Sequence, residues 1–309
     1  MDKRVVSFRR GDENRVVIEK NDKNALFSIQ YRIADNILKR IRKAQDLSSD
    51  QIFSMVNNTI AFCGDRGVGK TSCMLSYKDS LSKEKVLALD MIDPSFFDDD
   101  HNIIDLLLAK LYYYYTNHIE SNTECNRDVL ELFAKVKLLI KDLDKTRQQL
   151  YDPMENIIVV DAGMRLKESM AKLMKQLLTE DKKEFILITI DDLDTKVSDI
   201  YKMSEQIRKY LSNTYCVILI SVNIEQLQYL LAVELKKEND NNTDWYKDLA
   251  IKYILKFLPR DQRVELPKFS AFANEQVEIF EDFSDKKHPF DTIRESVLQL
   301  IFSKTRYLF

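Results

Sequence analysis

Apolar residues recur along this chain with two periods, which predict strands alternating with helices. The short apolar runs "TIAFC", "KVLALDMI", "FILITI" and "CVILISV" have the length and composition of strands buried on both faces. "RVELP" predicts a last short strand, and "VVSF" with "RVVIE" predicts an N-terminal hairpin around Gly11. "KTSCMLSYKDSL" has helical spacing. Strands that alternate with helices indicate an α/β protein with a parallel sheet.

The helix predicted for "ALFSIQYRIADNILKRI" has apolar residues at helical spacing along one face. The residues of this predicted buried stripe are Leu26, Ile29, Ile33, Ile37 and Ile41. Such a stripe would pack against the sheet.

A long helix-rich segment, residues 93–184, separates "KVLALDMI" from "FILITI", and "NIIVV" is its one weak strand candidate. A crossover between parallel strands needs only about a dozen residues. We therefore predict a helical insertion at about 93–184 within a core of residues 58–268. Residues 1–57 are expected to form the hairpin and helices. Residues 269–309 are expected to be the start of a helical lid, truncated at Phe309.

Composition limits the classes of function. The chain has 309 residues, 45% of them hydrophobic, which is enough for a core, and a net charge of −3, which does not indicate a nucleic-acid partner. Residues 1–44 carry a local net charge of +6. This excess indicates a solvated helical face or a phosphate-binding arm.

The cysteines and the hydropathy favour a cytoplasmic protein. The four cysteines show neither a CxxC pair nor a Cys/His ligand spacing, so we interpret them as reduced core residues. No apolar run approaches the ~20 residues that span a bilayer, so we expect no membrane partner.

A phosphate-binding motif follows "TIAFC". "GDRGVGKT" fits G-x-x-x-x-G-K-[ST] between a predicted strand and a predicted helix, and it contains three of the chain's five glycines. Its backbone N–H groups and the helix N-terminus would bind phosphate, Lys70 would reach the β- and γ-phosphates, and the Thr71 hydroxyl would bind Mg²⁺. We expect Lys70 to be solvated without nucleotide. The predicted nucleotide-binding residues are Gly64, Asp65, Arg66, Gly67, Val68, Gly69, Lys70, Thr71 and Ser72.

Carboxylates follow the apolar run "FILITI" directly. In P-loop NTPases such a carboxylate orients Mg²⁺, often through water, which is the role predicted for Asp191. Asp192 would then lie beside the γ-phosphate as the candidate general base. The alternative for both is a helix N-cap or a turn after the strand. Asp194 is expected to be a cap or loop residue.

Three further residues are candidates for catalysis. Asn223 ends "CVILISVN" and would contact the γ-phosphate or the attacking water, cap the next helix, or do both. Arg260 and Arg263, between a helix and "RVELP", could reach a neighbouring subunit's γ-phosphate. The alternative for the arginines is a surface salt bridge with Asp261 or Glu265.

These motifs together carry a family resemblance. "GDRGVGKT", "ILITIDDLD", "ILISVN" and "YILKFLPRDQRVELP", in this order over about residues 50–268, resemble the KAP and related STAND branch of AAA+-like P-loop NTPases. "LDMIDPSFFDDDHNIIDLLLAKL" resembles the "IDP" element of KAP-like ATPases in bacterial anti-phage systems, RADAR among them. The resemblance implies a P-loop NTPase fold: a parallel sheet in AAA+-like order, sandwiched by helices, with a large helical insertion.

The resemblance also implies an activity and partners. The expected function is Mg²⁺-dependent ATP binding and hydrolysis by a homo-oligomer that acts with an effector protein in anti-phage defence. ATP rather than GTP is implied by the resemblance. Two alternatives remain open: a switch or scaffold that turns ATP over slowly, and a loader that engages DNA. The basic N-terminal region permits the loader, and the acidic remainder argues against it.

Overall fold

The structure, a computed structural model, contains two sheets within the residues that it describes. The described residues are 5–9, 27–47, 57–81, 83–94, 103–119, 127–147, 153–194, 200–236, 243–268, 276–280 and 287–289. The smaller sheet joins the three strands β1 (Val5–Arg9), β7 (Gln276–Phe280) and β8 (Lys287–Pro289). The larger sheet has five strands, all parallel, and positions the candidate site.

The predicted apolar runs form the larger sheet. Its strands are β2 (Thr59–Cys63), β3 (Val86–Ala88), β4 (Phe185–Ile190), β5 (Cys216–Val222) and β6 (Arg263–Glu265). Every residue of β2, β4 and β5 is buried, which explains why these strands are almost continuously apolar. All five predicted strands are therefore confirmed, although β3 is shorter than the run "KVLALDMI".

The strand order of the larger sheet is β3-β4-β5-β2-β6. Because the strands are parallel, all five end at the same edge, which we call the strand-end edge. The opposite edge is the strand-start edge. β5 lies between β2 and β4, so the residues that follow β2 and β4 face each other across the end of β5.

Helices cover both faces of this sheet. They are α1 (Ser28–Leu47), α2 (Lys70–Ser80), α3 (Ile103–Tyr114), α4 (Arg127–Arg147), α5 (Pro153–Asp181), α6 (Ile200–Gln206), α7 (Ile224–Lys236) and α8 (Thr243–Phe257). Short π-helical segments, residues 115–119 and 207–211, continue α3 and α6. α1 and α2 share one hydrophobic cluster with one face of the sheet, and α3 to α8 share the other. The protein is thus α/β, with a parallel sheet flanked by helices.

The segment between β3 and β4 is helical where it is described. It contains α3, α4 and α5, and within the described residues it forms no further strand beyond an isolated bridge between Ile92 and Ile190. The weak strand prediction for "NIIVV" is wrong, because residues 156–160 lie inside the long helix α5.

The buried face of α1 differs from the predicted stripe. Ile37 and Ile41 are buried as expected, but Ile29 and Ile33 are 44% and 37% exposed. Phe27 and Tyr31 are buried in their place and make an edge-on ring contact. Two large aromatic rings bury more apolar area than two isoleucines, which favours this rotation of the helix. Leu26 lies outside the described residues.

The terminal predictions are covered only in part. β1 confirms a strand at "VVSF", but β1 pairs in parallel with β7, and "RVVIE" lies outside the described residues. β7 and β8 occupy part of the segment predicted as a helical lid, most of which is also outside them. Cys63, Cys73 and Cys216 are buried free thiols. In the described part of the chain, no helix is sufficiently long and apolar to cross a membrane.

Candidate functional site

The glycine-rich loop connects β2 to α2 at the strand-end edge. Gly67 and Gly69 have φ angles of 84° and 85°, a left-handed conformation that side chains disfavour. A Cβ at Gly69 would also lie 2.9 Å from Cζ of Phe27, while Gly67 has no atom within 4 Å of such a position. The clustered glycines therefore have a conformational cause, and the loop at Gly67 is open.

The loop opens directly into the N-terminus of α2. The N-cap is Gly69, and no side chain caps this helix. The N–H of Cys73 donates to the carbonyl oxygen of Gly69 at 2.9 Å, so the helical pattern starts there. The N–H groups of the preceding residues lack intrahelical acceptors, and they carry the positive end of the helix dipole. This is an arrangement suited to an anion.

Lys70 is folded against the loop. Its Nζ donates to the carbonyl oxygen of Asp65 at 3.3 Å, and the residue is only 8% exposed. The expectation of a solvated lysine is therefore wrong, because the side chain bonds the loop backbone instead of extending into water. The Asp65 carboxylate pairs with Lys268 at 3.1 Å. A positive charge is thus held beside the free N–H groups of α2.

Thr71, Asp191 and Ser221 meet at the strand-end edge. Thr71 Oγ1 donates to Asp191 Oδ1 at 3.0 Å, and Ser221 Oγ donates to the same oxygen in a short hydrogen bond. Leu187 and Leu219 pack on the α1–α2 face. Because side chains alternate along a strand, Ser221 and Asp191 point to that same face. α2 presents Thr71 there.

Asp191 is 6% exposed. Burial raises its pKa, and the hydrogen bonds from Ser221 and Thr71 oppose this shift. Asp192 and Asp93 raise the pKa further by charge repulsion. A buried carboxylate among other acids is costly, and a bound cation would relieve that cost.

Asp192 has an unusual backbone conformation. Its φ angle is 42°, and its N–H donates to Ser221 Oγ at 2.9 Å. Asp is among the few residues that tolerate left-handed φ, so the turn after β4 has a residue suited to it. Residues 195–199 lie outside the described part of the chain, so an N-cap role for Asp191 or Asp192 stays untested.

Asp194 is more deeply buried than expected. It is 4% exposed, and within the described residues its Oδ1 has no hydrogen-bond partner. Burial raises its pKa, while hydrogen bonds from its own backbone and from that of Asn223, with the charge of Lys70, oppose the shift. Asp194 is a turn residue, as predicted, but its carboxyl group belongs electrostatically to the site.

Asn223 follows β5 and begins α7. Its Oδ1 accepts a hydrogen bond from the N–H of Gln226 at 3.0 Å, so Asn223 caps the helix. This confirms the capping alternative. The side-chain NH₂ group remains a donor at the strand-end edge, so contact with a phosphate or a water is still a prediction.

The two arginines differ in their surroundings. Arg263 donates from Nε and Nη2 to the carbonyl oxygen of Leu258 at 2.9 and 2.7 Å, at the end of α8. Arg260 is exposed and lies before β6, toward the strand-start edge. The alternative of a salt bridge with Asp261 or Glu265 is not found for either arginine in the described residues, where Asp261 pairs with Arg40 at 3.4 Å.

The remaining loop residues take supporting positions. The N–H of Gly64 donates to the carbonyl oxygen of Val222 at 3.3 Å, which ties the loop to β5. A Cβ at Gly64 would lie 2.7 Å from Cγ2 of Val68, so Val68 closes over this glycine. Asp65 and Arg66 are exposed, and Ser72 is half-buried in the first turn of α2.

Sequence reasoning missed Ser221 and Phe27. Ser221 is the one polar residue in "CVILISV", and a hydroxyl at that position was a usable signal. Phe27 precedes a helix far from the loop in sequence, and no local pattern links it to Gly69.

The residues present suit a magnesium ion that is held largely by a ligand. In the described residues, no three His, Cys, Asp or Glu side chains are grouped to hold a metal by themselves. Mg²⁺ is usually bound through one or two carboxylates, waters and substrate phosphates. Thr71 and Asp191 fit that mode.

No family model matches the chain, and no curated protein matches it. The roles proposed for the site residues therefore rest on their geometry and on the quoted motifs.

Proposed function

We propose that this chain binds ATP together with Mg²⁺ and hydrolyses it. The observation that carries the proposal is the hydrogen bond between Thr71 and Asp191. It joins the start of the helix after the glycine-rich loop to the carboxylate after a different strand, with β5 between them. The N–H groups proposed to bind phosphate and the carboxylate proposed to orient the metal are therefore neighbours, which supports the proposal.

Each side chain then has a role that follows from its position. The loop N–H groups and Lys70 would hold the phosphates, and Thr71 with Asp191 would hold the metal. Mg²⁺ would neutralise charge on the β- and γ-phosphate oxygens. Asp192 would accept the proton of the attacking water, and Asn223 would orient that water.

The strand order supports the AAA+-like form of the P-loop fold. The order β3-β4-β5-β2-β6 places β5 between the loop strand and the metal strand, as the resemblance implies. α3, α4 and α5 occupy the interval of the expected helical insertion. The choice of ATP, the effector partner and a place in anti-phage defence rest on the resemblance to KAP-like ATPases.

The direct test is Lys70→Met. Because Lys70 is buried, methionine keeps the packing of its aliphatic stem and removes the charge together with the hydrogen bond to the Asp65 carbonyl oxygen. We expect the variant to fold and to lose most ATP binding and hydrolysis. Parent-level binding and turnover in the folded variant would refute the phosphate site. GTP competition would test the choice of base.

A slow nucleotide-operated switch is the second candidate. The observation in its favour is Asp192, whose carboxylate is one methylene shorter than Glu and extends from a backbone with φ of 42°. A base set back in this way would slow turnover without weakening binding. Tight Mg²⁺-dependent ATP binding without measurable phosphate release would favour the switch. Turnover measured with and without DNA tests the third alternative, a loader that engages DNA, because only the loader should respond to DNA.

A further inference from the structure

Ser221 is placed in a strand that is otherwise apolar. β5 reads "CVILISV", and Ser221 is 0% exposed. A hydroxyl in such a place is costly unless it is hydrogen-bonded. Ser221 is bonded on both sides: it donates to Asp191 Oδ1 and accepts from the N–H of Asp192 at 2.9 Å.

We propose that Ser221 is a positioning residue that sets the direction of both neighbouring acids. It fixes the Asp191 carboxylate for Mg²⁺ and fixes the backbone that carries Asp192. This inference rests on the proposed function, because it assigns a task within the same site. Ser221 itself contacts neither phosphate nor metal in this proposal.

The hydrogen bonds to Asp191 determine which oxygen is available. Both hydroxyl hydrogens, from Thr71 and from Ser221, go to Oδ1. Two donors on different elements, α2 and β5, therefore prevent the carboxylate from turning. Oδ2 would remain available to accept a hydrogen bond from water held by Mg²⁺, and the lone pairs of the Thr71 oxygen would remain available to the ion. Without Ser221, one donor remains and the carboxylate can rotate.

The hydrogen bond to Asp192 acts on the backbone. The left-handed conformation of Asp192 is an uncommon one that the surroundings must hold. Ser221 holds it twice, because its hydroxyl accepts from Asp192 N–H and its carbonyl oxygen accepts from Leu193 N–H at 3.3 Å. Loss of the hydroxyl removes the first of these bonds and lets the Asp192 peptide turn.

Thr189 supplies a matched control for the loss of a buried hydroxyl. It lies in β4, is also 0% exposed, and its Oγ1 has no hydrogen-bond partner in the described part of the chain. Thr189→Val and Ser221→Ala each remove one hydroxyl from the same sheet. Only Ser221→Ala removes a bond to the acids.

The experiment is a MgCl₂ titration of the binding of a fluorescent ATP analogue to the full chain. Loss of a residue that orients a metal ligand typically costs about 10–100-fold in metal affinity. We therefore expect Ser221→Ala to raise the half-saturating Mg²⁺ concentration by about 10–100-fold. Analogue binding without Mg²⁺ should stay unchanged, and so should the Mg²⁺ midpoint of Thr189→Val.

Three results would overturn the inference. The first is an unchanged Mg²⁺ midpoint in Ser221→Ala, and the second is a midpoint shift in Thr189→Val as large as that in Ser221→Ala. The third is that Ser221→Ala loses as much analogue binding without Mg²⁺ as with it. If Ser221→Ala does not fold, Ser221→Cys decides, because the thiol is of similar size but is a weak donor. Ser221→Cys should shift the Mg²⁺ midpoint in the same direction by a smaller factor. An unchanged midpoint in this variant would overturn the inference. If the parent chain shows no Mg²⁺-dependent binding, the proposed function has failed instead.

Discussion

Two groups of buried polar side chains lie at opposite edges of the same sheet, and they differ in whether the buried groups are neutral or charged. At the strand-start edge, the Asn58 amide donates to the carbonyl oxygens of Leu211 and Cys216, each at 2.8 Å. The Gln45 amide donates to the carbonyl oxygens of Asn213 and Cys216 at 3.2 and 2.8 Å.

The strand-end edge has the opposite balance. There, Asp191 and Asp194 are buried acceptors whose pKa values burial raises, and Lys70 and the uncapped start of α2 provide nearby positive charge. The polar groups of the strand-start edge are neutral, and their amide donors all bond backbone carbonyl oxygens, while within the described residues Asn58 Oδ1 has no partner. Those of the strand-end edge are charged and incompletely paired within the described residues, which is a high-energy arrangement that a ligand can complete.

This difference in charge distinguishes buried polar groups that stabilise the fold from those that we propose bind a ligand. Neutral amides that bond backbone carbonyls, as at Asn58 and Gln45, connect elements at little electrostatic cost. Buried carboxylates are costly, and in the proposed function bound Mg²⁺ would relieve that cost. Substitutions at the first edge should therefore lower stability, and substitutions at the second should lower activity.

The largest expected effect is that of Arg260→Ala on the ATPase rate. It would be an exception to the division between edges, because Arg260 lies toward the strand-start edge and yet should affect activity. An arginine supplied across a subunit interface is worth ~10³–10⁵ in rate, since it neutralises charge that develops during transfer. If the site is shared between subunits, the ATPase rate per chain should rise with protein concentration. We expect Arg260→Ala to keep ATP affinity and to lose this rise. Mixing Arg260→Ala with Lys70→Met should restore some activity, because each variant supplies the residue that the other lacks. A rate per chain that is independent of concentration would contradict the shared site.

Arg263 is the matched control for that prediction. Its guanidinium bonds the Leu258 carbonyl oxygen, so Arg263→Ala should lower the free energy of unfolding by roughly 1.5–3 kcal/mol, as for a hydrogen bond to a charged group. The residual ATPase rate should still rise with concentration. If the two variants behave in the reverse way, Arg263 is the residue that acts on the neighbour.

Asp192→Asn is the second test, and it sharpens the comparison at the strand-end edge. Asn tolerates left-handed φ as well as Asp does, so the turn after β4 should be kept. Loss of a general base typically slows chemistry by ~10²–10⁴-fold. We expect unchanged ATP affinity and a turnover lower by that factor in single-turnover measurements. Turnover at the parent rate would assign the base to another residue.

The sequence predicted the strands well because they are buried on both faces. β2, β4 and β5 had to be almost continuously apolar, and "GDRGVGKT" and "DD" directly follow β2 and β4. The pairing of Thr71 with Asp191 then depends on the strand order, which the resemblance implied and periodicity alone did not determine.

The errors arise where tertiary contacts decide. The predicted buried face of α1 was wrong because Phe27 packs against Gly69, and these two residues are far apart in sequence. Lys70 was expected in water, but its position depends on the fold of the loop around Asp65. Ser221 was missed because a single serine in an apolar strand has no periodic signal, although its place beside Asp191 follows from the register.

Asn58 provides the third test, at the edge where only stability should change. Asn58→Asp keeps the size, removes both donors and places a buried carboxylate against the Leu211 and Cys216 carbonyl oxygens. These oxygens keep their bonds from Asn213 N–H and the Gln45 amide. An unsatisfied buried group costs about 1–3 kcal/mol. We expect urea unfolding to show a loss of about that size or larger, with ATP affinity of the folded protein unchanged. A parallel loss of affinity would mean that the two edges are coupled.

Asn223 gives the smallest expected effect and the finest test, because it belongs to the strand-end edge yet performs a structural task. Its Oδ1 caps α7 through the N–H of Gln226, and its NH₂ group remains for a phosphate or the attacking water. Ser caps about as well as Asn, whereas Ala costs about 1 kcal/mol. Asn223→Ser should therefore keep the free energy of unfolding, and Asn223→Ala should lose about 1 kcal/mol. Because one neutral hydrogen bond is worth about 0.5–1.5 kcal/mol, both variants should slow ATP turnover by up to about tenfold. Parent-level turnover in Asn223→Ser would make Asn223 a cap alone. In that case the strand-end edge would contain both structural and ligand-binding residues. Whether a residue is buried and charged would then distinguish the two kinds better than the edge of the sheet at which it lies.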